Sequence, residues 1–177
     1  MSRLDDLKVK IFADGADLAG MLELYQSPIV KGFTTNPTLM KQAGVSDYTE
    51  FARAVLRAIP DRPISFEVFA DDFKEMEWQA LEIASWGKLV VVKVPVTNTY
   101  GESSAALVRR LAHAGVRLNV TAMMTLEQVR EAAECLRGGP PSYVSIFAGR
   151  VADTGRDQNL PGPKLPHVQS VDQAKGS

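Results

Sequence analysis

Four residues with chemically useful side chains recur at one interval along the chain. Glu67, Lys93, Asn119 and Ser145 follow one another at steps of 26 residues. Each stands in or near the end of a short apolar run. Lys93 is the sharpest case, because it interrupts Leu89-Val90-Val91-Val92-Lys93-Val94-Pro95-Val96. A run this short and this rich in β-branched residues reads as a buried parallel strand. An amine placed there without a partner loses its hydration. Desolvation favours the neutral form, and a neutral amine is a nucleophile toward carbonyls. Lys93 is therefore a candidate Schiff-base lysine. A lysine at a strand end that snorkels to water explains Lys93 taken alone. It does not explain a set of polar groups in phase.

The elements that must position these groups alternate in type. Apolar runs at 9–13, 29–34, 64–70, 89–95, 116–121 and 143–147 read as strands. Amphipathic stretches at 16–25, 47–58, 71–85, 102–114 and 126–137 read as helices. Ser46 is the expected N-cap of the second helix, and Gly115 and Gly138-Gly139 are expected stops. Strand–helix alternation implies βαβ units around a parallel sheet. An open doubly wound sheet that binds nucleotide wants a glycine-rich turn after the first strand. The chain has Ala13-Asp14-Gly15-Ala16-Asp17 there, which is no phosphate loop.

The polar residues favour a (β/α)8 TIM-type barrel instead. Asp14 and Asn36 end the first two strands as Glu67, Lys93, Asn119 and Ser145 end the other four. Polar groups amid Val, Ile and Phe are costly unless they meet. At the C-terminal mouth of a barrel they meet. Period-two alternation adds Thr121 to the face of Asn119, and Phe147 to the face of Ser145.

Composition narrows the classes further. The 177 residues are 45% hydrophobic and 23% charged with a net charge of −1, which fits one globular domain with a core and no strongly charged partner. Basic residues are scattered, and the doublet Arg109-Arg110 reads as a solvated helix face, so nucleic acid is not an expected partner. No apolar run approaches a membrane span, and the start of the chain lacks the apolar core of a leader. Cys135 is the only cysteine, which excludes an internal disulfide and fits a reducing, cytoplasmic setting. It is expected in the core. Trp78 and Trp86 are expected on one helix face outside the barrel. His113 and His167 show no metal-ligand spacing, and neither metal nor cofactor is expected.

Five segments resemble the transaldolase family, the Schiff-base aldolases of the pentose phosphate pathway. They are Lys10-Ile11-Phe12-Ala13-Asp14, Gly32-Phe33-Thr34-Thr35-Asn36-Pro37-Thr38, Val92-Lys93-Val94-Pro95, Leu118-Asn119-Val120-Thr121 and Val144-Ser145-Ile146-Phe147-Ala148-Gly149-Arg150. The likeness is greatest to the small transaldolases, a group that includes the fructose 6-phosphate aldolases, and it covers roughly residues 8–157. It implies sugar-phosphate substrates, with Lys93 attacking the ketose carbonyl and Asp14 taking the proton of a sugar hydroxyl as the carbon–carbon bond breaks. By the same resemblance Glu67 and Thr121 hold a catalytic water, and Asn36, Asn119 and Ser145 bind sugar hydroxyls. Arg150 clamps the phosphate, with Arg156 as a lesser candidate. Members that release free dihydroxyacetone tend to carry Gln and Tyr where this chain has Glu67 and Phe147. That pair points to transfer of the dihydroxyacetone unit to an aldose phosphate, with a fructose-6-phosphate aldolase (lyase) as the alternative. Deoxyribose-phosphate aldolase is a weaker rival, since neither Lys10 nor Lys88 is placed to assist Lys93.

The departures lie at the end of the chain. Eight strands are needed for a closed barrel, six are legible, and 27 residues follow Arg150. The expected division is an incomplete barrel at 1–157 and a Pro/Gly-rich irregular tail at 158–177. The last two β/α units are expected to be absent. The chain is then a truncated, inactive transaldolase fragment, or one completed by another subunit, or an open layer with a residual site. The small transaldolases often form oligomers, so a homo-oligomer is a further expectation.

Overall fold

The structure, a computed structural model, describes residues 9–15, 17–153 and 169–170. Seven parallel strands lie in sequence order in one sheet: β1 (Ile11–Gly15), β2 (Val30–Thr35), β3 (Ile64–Glu67), β4 (Val90–Pro95), β5 (Leu118–Met123), β6 (Tyr143–Ile146) and β7 (Gln169–Ser170). The intervening helices are α1 (Leu18–Tyr25), α2 (Pro37–Gln42), α3 (Tyr48–Ala58), α4 (Phe73–Ser85), α5 (Ala105–His113), α6 (Leu126–Leu136) and α7 (Ala148–Asp153). Six strands and the five longer helices therefore stand where the apolar periodicity puts them, while α2 and α7 are additional. The two-residue β7, which pairs with β6, lies inside the stretch expected to be irregular. The rest of that stretch, with Arg156 and His167, lies outside the described residues.

Local chemistry sets the helix ends. Asp47, not Ser46, caps α3, its carboxylate accepting the Glu50 N–H at 2.8 Å. Thr125 and Gln128 form a reciprocal capping box at the start of α6. Gly115 and Gly138 take φ of +83° and +81° after α5 and α6, a conformation that glycine adopts without a Cβ penalty.

The sheet has two kinds of buried face. Its outer face packs on the helices through Phe33, Ile64, Phe66, Val92, Leu118 and Val120. Its inner face holds a separate cluster of Phe12, Val91 and Tyr143. Burial on both faces is why Val90–Pro95 reads as a continuous apolar run. The inner cluster also measures the curl. Phe12 is on β1 and Tyr143 on β6, five strand spacings apart, or roughly 24 Å along a flat sheet at about 4.8 Å per strand. Their ring centroids are 5.3 Å apart. The sheet is thus bent into an open half-barrel.

The register shows which barrel. The paired residues run Ala13↔Phe33↔Ile64↔Val90, so Val91 stands two residues above the row of Phe12. The row Lys93↔Asn119↔Tyr143 places Tyr143 two residues above the row of Val91. The inner layer climbs four residues over five strand steps, about 0.8 per strand. An eight-stranded barrel of shear 8 climbs about one per strand. Among the described residues β1 pairs only with β2, and β7 only with β6.

Candidate active site

Two residues beyond each member of the apolar floor stands a polar candidate. Phe12 is followed by Asp14, Val91 by Lys93 and Tyr143 by Ser145. Period-two alternation puts each pair on one face, so the reactive layer rests directly on the hydrophobic one.

Lys93 is only 4% exposed, so it does not snorkel to water. Nor is it left without a partner, as the isolated strand pattern suggested: its Nζ lies 3.3 Å from Glu67 Oε2. The pairing follows from register, since Glu67 and Lys93 are direct neighbours on β3 and β4. Burial pushes the Glu67 carboxyl above the usual glutamate value. The Lys93 charge opposes that shift, and the Asp14 charge adds to it. Taking an ion pair out of water is costly, and such a pair persists where its partners are held in place.

Asp14 is exposed at the end of β1 and accepts a short hydrogen bond from Thr34 Oγ1 on β2. Asn119 and Ser145 are both buried. Ser145 Oγ donates to Asn119 Oδ1 at 2.6 Å, and Asn119 Nδ2 donates to Ser65 Oγ at 3.3 Å. This chain of hydrogen bonds crosses β6, β5 and β3, again only possible on a curled sheet. Thr121 is 1% exposed, and its Oγ1 has no hydrogen-bond partner among the described residues. A buried hydroxyl left so costs roughly 1–3 kcal/mol. Immediately after it, Ala122 takes φ of +64°, beside a break in the β5–β6 register. A side chain in the left-handed region costs about 1–2 kcal/mol, and such strain tends to gather at functional sites.

The remaining candidates stand at the rim. Asn36 follows β2, and its Oδ1 accepts the Thr38 N–H at 3.0 Å, helping to start α2. Phe147 follows β6, with the Arg150 guanidinium 5.9 Å from its ring centroid. Arg150 itself is exposed on α7. Glu67, Lys93, Asn119, Ser145 and Thr121 thus share one interior, Asp14 borders it, Asn36 and Phe147 follow its strand ends, and Arg150 stands on α7 beyond them. Thr34, Ser65 and Tyr48, whose hydroxyl accepts the Glu67 N–H at 2.8 Å, join the site without having been singled out by sequence. Thr34 and Ser65 carried a usable signal, since Ser65 is two residues before Glu67. Tyr48 carried none.

Elsewhere, Cys135 is buried in the core as expected. The two tryptophans part company: Trp78 is 65% exposed, whereas Trp86 packs on Phe66 and Tyr48. The helix geometry explains this, because α4 ends at Ser85 and Trp86 lies past its last turn. Among the described residues, no group of three His, Cys, Asp or Glu side chains is arranged to hold a metal, and no helix is long and apolar enough to cross a membrane.

The described residues form a curled parallel β/α sheet with a buried lysine on its fourth strand. The chain belongs to the transaldolase/fructose-6-phosphate aldolase family, whose match covers residues 11–176. The family match therefore continues past residue 157, where the resemblance was expected to stop. A probable transaldolase of Dehalococcoides mccartyi is 36% identical over 149 residues, which are 84% of this chain and 65% of that protein. A probable transaldolase of Streptococcus agalactiae is 36% identical over 160 residues, 90% of this chain and 70% of that protein. One from Pelotomaculum thermopropionicum is 37% identical over 151 residues, with 84% and 65% covered. The chain thus spans about two thirds of the length of these curated relatives.

Proposed function

We propose that this chain is a transaldolase that moves a dihydroxyacetone unit from a ketose phosphate to an aldose phosphate through a Schiff base on Lys93. The observation that carries the reading is the contact of the buried Lys93 Nζ with the part-buried Glu67 carboxylate at 3.3 Å. Before attack, the Lys93 ammonium gives a proton to Glu67, whose raised affinity for protons suits it to that role. The free amine adds to the ketose carbonyl, and loss of water leaves an iminium. Asp14 takes the proton of the hydroxyl next to the scissile bond. The bond breaks, an aldose phosphate leaves, and the electron pair stays as a three-carbon enamine. The enamine attacks the acceptor aldehyde, and hydrolysis returns Lys93. The Thr121 hydroxyl, which has no partner among the described residues, and Glu67 hold a water that relays protons as the iminium forms with loss of water and again as it is hydrolysed. Asn36, Asn119 and Ser145 bind sugar hydroxyls, and Arg150 takes the phosphate. A cytoplasmic setting, where sugar phosphates are found, suits this chemistry.

Transfer is favoured over acceptor-free cleavage by Phe147, which brings no phenol to the rim, and by Glu67. Fructose 6-phosphate turned over rapidly without an aldose acceptor would favour the lyase reading instead.

Borohydride trapping tests the proposal. The folded protein is incubated with fructose 6-phosphate, reduced, and its intact mass and modified peptide are read. A reduced three-carbon or six-carbon adduct on Lys93, lost in Lys93→Met, is the expected result. A folded protein that yields no adduct is an inactive member of the family.

A further inference from the structure

The neighbours of Glu67 contain an irregularity of pairing. β3 is paired with β4 along its whole length, from Ile64↔Val90 to Glu67↔Lys93. Its pairing with β2 covers only Phe33↔Ile64 and Thr34↔Ser65. Ile64 and Val68 send their N–H groups to Leu89 and Lys93 carbonyls on the β4 side. In a parallel strand alternate residues bond to opposite neighbours, so Glu67 turns its N–H toward β2. No β2 carbonyl meets it. The Tyr48 hydroxyl does, at 2.8 Å.

The direction of every proton in this contact is fixed. The Glu67 N–H can only donate, so Tyr48 Oη accepts from it. Thr35 Oγ1 donates to the Ser65 carbonyl at 3.0 Å, which can only accept. The 3.3 Å contact between Tyr48 Oη and Thr35 Oγ1 therefore has Tyr48 as donor. Tyr48 joins β2 to β3 where the two strands have ceased to pair. Its ring is held by edge contacts with Phe66, Phe69 and Trp86 at centroid distances of 6.0, 4.6 and 5.9 Å. Desolvation pushes its phenol well above the ordinary tyrosine value, so the hydroxyl keeps its proton.

We propose that Tyr48 is a positioning residue: its hydroxyl acts as a rung between β2 and β3 that holds Glu67 in reach of Lys93. The functional part of this inference rests on the Schiff-base reading above. Without the rung, the Glu67 N–H loses its acceptor and Thr35 Oγ1 loses the donor facing it while keeping its bond to the Ser65 carbonyl, and the strand end carrying the carboxylate is free to shift. Misplacement of a reacting group by about 1 Å costs roughly a hundredfold in rate.

The test is a double-mutant cycle on the rate of borohydride-trapped adduct formation, using Tyr48→Phe, Glu67→Gln and the double variant. Tyr48→Phe keeps the packed ring, and a slowing of about ten- to a hundredfold is expected. In the Glu67→Gln background the same change is expected to cost nothing further. An equal slowing in both backgrounds would mean a general structural effect and overturn the proposal. Should Tyr48→Phe not fold, Thr35→Val removes the acceptor of the Tyr48 proton and is read in the same cycle, with the same two outcomes. Hydrogen exchange at the Glu67 amide gives a readout independent of activity. Lost protection there in Tyr48→Phe, with Phe66 unchanged, supports the rung even if the wild-type protein traps no adduct; unchanged protection of Glu67 overturns it. Absence of an adduct in the wild type counts against the Schiff-base reading alone.

Discussion

The rings of Phe12 and Tyr143 meet edge to face across the barrel interior, 5.3 Å apart and inclined at 68°. This contact spans the sheet from β1 to β6 and lies directly beneath the layer of Asp14, Lys93 and Ser145. It couples the first strand to the sixth with no backbone hydrogen bond between them.

Removing either ring should therefore loosen the curl. Tyr143→Ala is expected to cost about 3–5 kcal/mol in urea unfolding, as large-to-small core changes do. A double-mutant cycle with Phe12→Leu and Tyr143→Leu should give a coupling of about 0.5–1.5 kcal/mol. A coupling indistinguishable from zero would mean that the interior does not close over this pair in solution.

Glu67 should titrate above 4.5, the value of an unperturbed glutamate, because burial dominates its environment. Carbon-13 NMR of the labelled carboxyl would show this. In Lys93→Met the ammonium that favours the ionised form is gone, so the midpoint should rise further. The sign for stability follows. A carboxyl raised in the folded state supports the fold fully below 4.5, and its contribution falls as pH climbs toward its folded value. A wild-type midpoint at or below 4.5 would mean that the Lys93 charge outweighs burial at this carboxyl.

Thr121→Val should separate stability from activity. The substitution is nearly isosteric and removes a buried hydroxyl that has no partner among the described residues. Unfolding free energy is expected to stay level or rise by about 1 kcal/mol, while adduct formation on Lys93 slows by roughly ten- to a hundredfold. Chemical denaturation and trapping on the same preparation read both. A loss of 2 kcal/mol or so would show instead that the hydroxyl is satisfied in the folded protein.

Asn119→Ala should behave differently. It removes an acceptor from Ser145 and a donor from Ser65, both buried. A loss of about 1–3 kcal/mol is expected, along with weaker saturation by ketose phosphate. If KM is unchanged and only stability falls, Asn119 serves the scaffold and not the substrate.

The legible parts of the chain are those that physics over-determines. Strands buried on both faces must be short apolar runs, so β3, β4 and β5 stand out, and polar residues inside them are conspicuous for the same reason. That is why Glu67, Lys93, Asn119 and Ser145 could be found at all. The six-residue helices α2 and α7 are too short to show a period. The third strand ends at Glu67 and not at Ala70, because Gln79 Oε1 on α4 takes the N–H groups of Phe69 and Ala70 at 2.8 and 3.0 Å. A partner on another helix leaves no mark in the local pattern. Ser46 and Asp47 are both capping types, and only the geometry at Glu50 chooses between them. The Lys93 partner and the Ser65 link need the sheet register, which strand prediction alone does not provide.

The rung at Tyr48 has a consequence for how the family's chemistry can diverge. A peptide carbonyl in a sheet is common to every amino acid, so no single codon change removes it. A tyrosine hydroxyl is the gift of one codon. By placing a side chain where the ladder would have a backbone group, this fold exposes the seat of Glu67 to inheritance, so that drift at a helix position outside the barrel can shift that carboxylate without touching it.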